Sequence, residues 1–282
     1  LYAGNGSTQT IENGIDLDGE GGLVWIKGRD DGAHPHSLYD TERGVTKQLS
    51  TNYNSPENVT SSSPTQDFVS FNSNGFSLGE PWNTGNLNST AMTKITSWSF
   101  RKSPKFFDVV TWSGNGVSGR QIPHNLDSMP GCIIVKCTNA SADWMVWHRS
   151  SPVGGDGRSY MGKLNTTDPI NDSYNIPRAG VYDVTSSDFK VLGDSNNAIE
   201  TNLTGNTYVA YVFAHNAGNF GDDGEQNVIS CGSYTGTGND DIELGFEPQW
   251  ILHKRANTDS AWYIQDVQRG MALTQSKHLS PN

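Results

Sequence analysis

Charge is scarce in this chain. Charged residues make up 17% of 282 positions, against about 25% in typical globular proteins. The 30 acidic and 19 basic side chains leave a net charge of -11. That balance argues against nucleic acid or an anionic membrane as the main partner, because both need clustered Lys and Arg. Cysteine is scarcer still, at three residues. An odd count this low excludes a disulfide scaffold. Cys132 and Cys137 lie five apart on one apparent strand, so they point to opposite faces. All three read as packed free thiols, which suits assembly in a reducing cytosol. No apolar run approaches the roughly 18 residues of a spanning helix. No basic start followed by an apolar region marks a signal peptide. Leu1 in place of Met predicts processing or a fragment of something longer. No Gly-x-Ser-x-Gly, His-Glu-x-x-His or Walker-type loop is present, so neither a cofactor nor a metal is expected.

What the chain has instead is glycine (31 residues), aromatics (10%) and an internal repeat. Three segments read alike. Tyr2-Ala-Gly-Asn-Gly6, Trp112-Ser-Gly-Asn-Gly116 and Tyr234-Thr-Gly-Thr-Gly238 open them. Gly22-Leu-Val-Trp-Ile-Lys27, Gly131-Cys-Ile-Ile-Val-Lys136 and Gln249-Trp-Ile-Leu-His-Lys254 follow. Later, Phe76 matches Phe189 and Phe100 matches Phe213, each pair 113 residues apart. A period near 110 is too long for a solenoid turn and is the length of a small β-sandwich. Short β-branched and aromatic runs are bounded by Gly, Asn and Asp, and no sustained helical period appears. The predicted fold is all-β, in tandem jelly-roll-like β-sandwich repeats. The first covers residues 1–110, the second 111–231, and a partial third 232–282. The third copy lacks its Phe-Gly and aromatic strand segments, so the protein is expected to continue, or another chain to complete it. Thr207 to Phe213 is apolar on both sides, which predicts a central strand or one facing a partner subunit. Asn227 to Cys231 reads as a strand. Asn54 to Gln66, Asn115 to Asn125 and Ala214 to Glu225 read as loops.

Residues that recur in every copy are most simply scaffold. Gly4, Gly114 and Gly236, with Gly6, Gly116 and Gly238, are expected to supply φ > 0. Lys27, Lys136 and Lys254 follow apolar strand residues and need a partner. Asp40 and Asp266 lie at the matching place on the next strand. This predicts the cross-strand pairs Lys27–Asp40 and Lys254–Asp266, with His148 breaking the pattern in the middle copy. Asp222-Asp223 and Asp240-Asp241 sit in Gly-rich loops and read as solvated turns. His34 and His36 lie close to Asp30 and Asp31, yet no third His or Cys stands at a recognisable spacing for a metal.

One long stretch carries a resemblance. Ser97-Trp-Ser-Phe-Arg-Lys-Ser-Pro-Lys-Phe-Phe-Asp-Val-Val-Thr-Trp-Ser-Gly-Asn-Gly116, with His124-Asn-Leu126 and Pro130-Gly-Cys-Ile-Ile-Val-Lys136, resembles a repeat of marine bacteriophage structural proteins of the tail-fibre-like kind. So do Tyr208-Val-Ala-Tyr-Val-Phe-Ala-His215 and Gly245-Phe-Glu-Pro-Gln-Trp-Ile-Leu252. Asp127-Ser-Met129 departs from that repeat, where a Gly follows the His-Asn-Leu. The resemblance implies a non-enzymatic virion component, a tail fibre or appendage assembled in the host cytoplasm. Its implied partners are other copies of itself as a homotrimer, other virion tail proteins and a host-surface glycan. Neither nucleic acid nor membrane insertion is expected. Loops that vary between copies are where specificity would lie. They place the candidate binding residues at His34 and His36, at Trp82 and Asn83, and at Asp156, Arg158 and Tyr160. Two other readings compete with the fibre. One is a tail-associated glycan-degrading enzyme, which needs two carboxylates about 5–9.5 Å apart. The other is a capsid decoration protein or bacterial adhesin.

Overall fold

The computed structural model describes residues 1–29, 34–59, 63, 65–82, 87–154, 157–170, 180–193, 200–238, 240–271 and 278–282. Among these there is no α-helix; the chain is all-β, in several small antiparallel sheets. The first repeat contributes β1 (Gln9–Glu12), β2 (Gly22–Gly28), β3 (Ser37–Asp40), β4 (Lys47–Gln48), β5 (Asn58–Val59), β6 (Phe68–Asn72), β7 (Gly75–Leu78) and β8 (Ile95–Arg101). The second contributes β9 (Phe107–Ser113), β10 (Arg120–Pro123), β11 (Pro130–Cys137), β12 (Met145–His148), β13 (Gly162–Lys163), β14 (Val181–Tyr182), β15 (Asp188–Val191) and β16 (Thr207–Ala214). The third has β17 (Trp250–Lys254) and β18 (Trp262–Asp266). The boundary expected at residue 110 falls inside β9.

Registers repeat residue for residue. Leu23 faces Asp40, Cys132 faces His148 and Trp250 faces Asp266. Trp25 faces Trp98 as Ile134 faces Tyr211. Ile11 faces Phe76 as Ile122 faces Phe189. The sheet β3-β2-β8 thus corresponds to β12-β11-β16, and β1-β7-β6 to β10-β15-β14. β16 is central, between β11 and β9, which is why both of its faces are apolar.

Alternation along the strands sorts the core into three parts. One face of the second repeat's main sheet (Ile133, Val135, Met145, Trp147) packs with Ile122, Phe189 and Val191 of its own smaller sheet. In the first repeat Val24, Ile26 and Tyr39 pack with Phe68, Phe76 and Leu78 in the same way. The opposite faces meet one another. Trp25 and Leu38, Ile134 and Trp144, and Trp262 and Ile264 share a single cluster drawn from all three repeats. Cys137 lies in the second repeat's own core, while Cys132 packs against the shared one. All three cysteines are free.

Several local expectations change. Gly6, Gly116 and Gly238 do have φ > 0, but Gly4, Gly114 and Gly236 do not. A Cβ at Gly4 or Gly114 would instead overlap the carbonyl oxygen of Ser89 or Leu203. The 115–125 stretch contains β10, whose single buried apolar residue, Ile122, is too weak a pattern to read as a strand. The 54–66 stretch contains β5, two exposed residues paired to β4. Asn227 to Cys231 is not a strand. Its counterpart β9 pairs with β16, and no strand corresponding to β16 stands beside β17 among the described residues.

Candidate functional site

The recurring charged residues converge on the seams between repeats. The predicted Lys27–Asp40 and Lys254–Asp266 pairs are replaced by another arrangement. The register sets Asp40 opposite Leu23 and Asp266 opposite Trp250, each four residues along the strand from the lysine. Asp40 is fully buried. Its Oδ2 accepts from Arg43 Nε at 2.7 Å and from Tyr211 Oη at 2.8 Å, and its Oδ1 from the Arg43 amide at 2.9 Å. Asp266 repeats this cage. Its Oδ2 accepts from Arg269 Nε at 2.6 Å and Trp98 Nε1 at 2.9 Å, and its Oδ1 from the Arg269 amide at 2.9 Å. In each case Asp and Arg stand three apart around a tight turn, and the aromatic donor comes from another repeat. Burial alone would lower the Arg43 pKa; Asp40, Tyr211 and Glu57 outweigh it and raise it. Burial, and then Asp40, hold the Tyr211 hydroxyl protonated.

The lysines reach backbone carbonyls. Lys27 Nζ donates to His34 O. Lys136 Nζ donates to Cys137 O at 2.7 Å and to Asn54 O, in the first repeat, at 3.2 Å. Lys254 Nζ donates to Ser260 O and to Thr167 O, in the second repeat, at 3.0 Å. Asn54 and Thr167 are 113 apart, the period of the repeat. Burial lowers the Lys136 pKa to about 8.

The same correspondence runs through the seam backbone. Trp144 Nε1 donates to Ser50 O at 2.9 Å and Trp262 Nε1 to Lys163 O at 2.8 Å. The Ala142 amide donates to Asn54 O and the Ser260 amide to Thr167 O, both at 2.9 Å. Glu57 N to Thr138 O matches Ile170 N to Ala256 O, both at 2.7 Å. The first repeat meets the third through Trp98 and Asp266, and through Thr51 Oγ1 donating to Pro281 O at 2.8 Å. His36, which stands where Trp144 and Trp262 stand, packs against the Ser280 backbone.

An open cleft of about 400 Å³ lies along the seam of the first two repeats. Hydroxyls of Thr111, Ser113, Thr138 and Thr207 line it beside Glu42 and Glu57. Both carboxylates are engaged: Glu57 by Lys47 at 2.7 Å and Arg43 at 3.3 Å, and Glu42 by Lys102 at 2.6 Å.

The predicted binding residues scatter. His36 is fully buried, its Nδ1 accepts from Trp25 Nε1 at 2.7 Å, and burial lowers its pKa to about 3. It is a neutral core residue, because the register puts it at the inward position that Trp144 and Trp262 hold in the other repeats. His34 is half-buried, with its carbonyl on Lys27. Trp82 is 48% exposed on the loop after β7. Arg158 lies over the Tyr182 ring at 4.8 Å. Tyr160 packs against the shared core. Asn83 and Asp156 lie outside the described residues, as do Asp30 and Asp31. Among the described residues no group of three or more His, Cys, Asp or Glu could hold a metal.

A cluster not anticipated lies on the outer face of β17 and β18. Tyr263 stacks obliquely on His253 at 5.3 Å and meets His278 edge-on at 4.6 Å. Burial and His278 lower the His253 pKa. The signal was in the repeat itself: Ile26 and Val135 become His253, Ser37 and Met145 become Tyr263, and Tyr39 and Trp147 become Gln265. No helix among the described residues is long and apolar enough to cross a membrane. No curated protein and no solved structure matches the chain. A family model described as a domain of unknown function, DUF7483, matches residues 1–282, and the chain belongs to that family.

Proposed function

We propose that the chain is a non-enzymatic structural protein of a phage virion, part of a tail fibre or appendage, which presents exposed aromatic side chains to a host-surface glycan. The observation that carries this reading is where the recurring charged residues are spent. Lys136, Lys254, Asp40 and Asp266 all tie one repeat to another. On this reading three copies of one unit, the third partial, pack about a shared core into a stiff body, whose threefold character comes from one chain. Copies of the chain and other tail proteins would then join along the outside. The cleft supports no glycosidase reading, since Glu42 and Glu57 are each held by a cation and neither is poised as an acid or base.

The exposed Trp82 ring and the Tyr263 ring, flanked by His253 and His278, are the groups suited to stack on sugar faces. The test is binding of the purified chain to surface polysaccharide from the bacterial host, followed by biolayer interferometry and by reducing-end release. The expected result is saturable binding, weakened about fivefold or more by Trp82→Ala or Tyr263→Ala, with no new reducing ends. Chain cleavage, or binding unmoved by either substitution, would overturn the proposal.

A further inference from the structure

We propose that the cleft between the first two repeats is a binding site for a neutral pyranose unit, a site apart from Trp82 and Tyr263 and standing without them. The strands of the second repeat change character at this place. Seam-facing positions alternate along each strand. On β9 they run Phe107 and Val109, both buried, then Thr111 and Ser113, both exposed. On β16 they run Phe213, Tyr211 and Val209, then the exposed Thr207. On β11, Ile134 and Lys136 lead to Thr138 just past the strand end. The register sets Thr207 opposite Ser113, and the Thr138 and Thr207 hydroxyls share a hydrogen bond at 2.6 Å. The apolar seam therefore ends in a floor of hydroxyls. β9 is the last strand of its sheet, and the Thr111 and Ser113 hydroxyls have no hydrogen-bond partner among the described residues.

The first repeat supplies the facing wall, with Glu42, Lys47 and Glu57. The Glu57 amide donates to Thr138 O at 2.7 Å, which fixes that wall to the floor. Lys47 and Arg43 hold Glu57, and Lys102 holds Glu42 Oε1. Each charge already has its counter-charge, so an ionic ligand would have to displace a partner. Trp112 and Tyr208 touch the cleft, yet their rings stack on each other at 5.3 Å within the second repeat's own core. Sites for apolar ligands are lined mainly by apolar and aromatic side chains. This one, at about 400 Å³, offers hydroxyls that both donate and accept beside carboxylate oxygens that accept. Sugar hydroxyls need that mixture. The set is not scaffold either. Arg29 and Lys94 stand where Thr138 and Thr207 do, joined by the same amide-to-carbonyl bond. Tyr160 and Ile170 stand where Lys47 and Glu57 do. Side chains that change on an unchanged backbone are the ones free to serve recognition.

The test is saturation-transfer difference NMR on the full chain with the methyl pyranosides of glucose, galactose and mannose, and with glycerol and glucuronate as comparators. At least one pyranoside should show saturable transfer and shift the amides of Thr111 and Ser113. Thr111→Val combined with Ser113→Ala should weaken it about fivefold or more, with thermal unfolding unmoved. Trp82→Ala and Tyr263→Ala should leave it unchanged. Transfer to none of the three, equal transfer to glycerol, or stronger transfer to glucuronate would overturn the proposal. So would transfer that survives the Thr111 and Ser113 substitutions but is lost with Trp82→Ala or Tyr263→Ala, an outcome that leaves the stacking of sugars on those rings standing.

Discussion

The second and third repeats share a seam but not a core. The second has a five-stranded sheet, a smaller sheet over one face, and its own apolar cluster. The third has two strands among the described residues, and its outer face carries His253, Tyr263 and Gln265 where the second has Val135, Met145 and Trp147. Its inner face nevertheless keeps Trp262, Ile264 and Leu252 on the shared cluster. The difference separates two jobs. Residues that build the second repeat's private core are replaced in the third, whereas residues that build the seam persist. A two-stranded hairpin is marginal in water by itself, and β17 and β18 gain their apolar packing from the shared cluster.

The comparison can be broken first at the cages. Asp40→Ala strands the buried Arg43 guanidinium and the Tyr211 hydroxyl, and should cost about 3–5 kcal/mol in urea unfolding. His148→Ala, at the corresponding but half-buried position, should cost under about 1 kcal/mol. Equal losses would mean that the cage is not what distinguishes the two positions. Next, Gly114→Ala forces a methyl onto the Leu203 carbonyl and should destabilise by about 1–3 kcal/mol. At Gly236→Ala the new methyl meets only the Asp240 Oδ2 at 3.9 Å, an ordinary contact, and the change should stay within about 0.5 kcal/mol.

Lys136 sharpens the comparison through pH. Its pKa falls to about 8 in the folded protein, from 10.5 when unfolded. Between these values the unfolded chain holds the extra proton, so this group's contribution to stability rises with pH across pH 8–10.5. The rise should be of the order of 3 kcal/mol, and Lys136→Met should abolish it when thermal unfolding of the two proteins is compared. Lys254, more exposed, should show a smaller rise of the same sign. The smallest effects are the matched ones. Trp144→Phe and Trp262→Phe each remove one indole hydrogen bond to a neighbouring repeat, and should cost about 1 kcal/mol apiece. A large inequality would show that the two seams are not built alike.

Much of this was legible in the sequence. The all-β class followed from short β-branched and aromatic runs bounded by Gly, Asn and Asp, and the central place of β16 from the two-faced apolar run at 207–213. The partners of Lys27, Lys136 and Lys254 did not. A cross-strand reading pairs neighbours on adjacent strands, but the lysines donate to backbone carbonyls, and Lys136 and Lys254 each reach a loop carbonyl of another repeat as well as one of their own, 82 residues away for Lys136 and Asn54. Chemistry drawn from so far along the chain leaves no local pattern. His36 was misplaced for a related reason. It lies within a polar run, yet it occupies the position of Trp144 and Trp262, and the repeat alignment held that clue. The outer-face cluster was legible too, in the polar residues that replace Ile26 and Val135 at His253.

The contact that joins the first repeat to the third is the most exacting test of a body closed through its seams. A double-mutant cycle combines Trp98→Phe with Asp266→Asn and reads both in equilibrium unfolding. A coupling energy of about 1 kcal/mol or more is what a hydrogen bond from Trp98 Nε1 to Asp266 Oδ2 predicts. Strict additivity would mean that the first and third repeats do not meet, and would reduce the molecule to a string of repeats joined only to their neighbours in sequence.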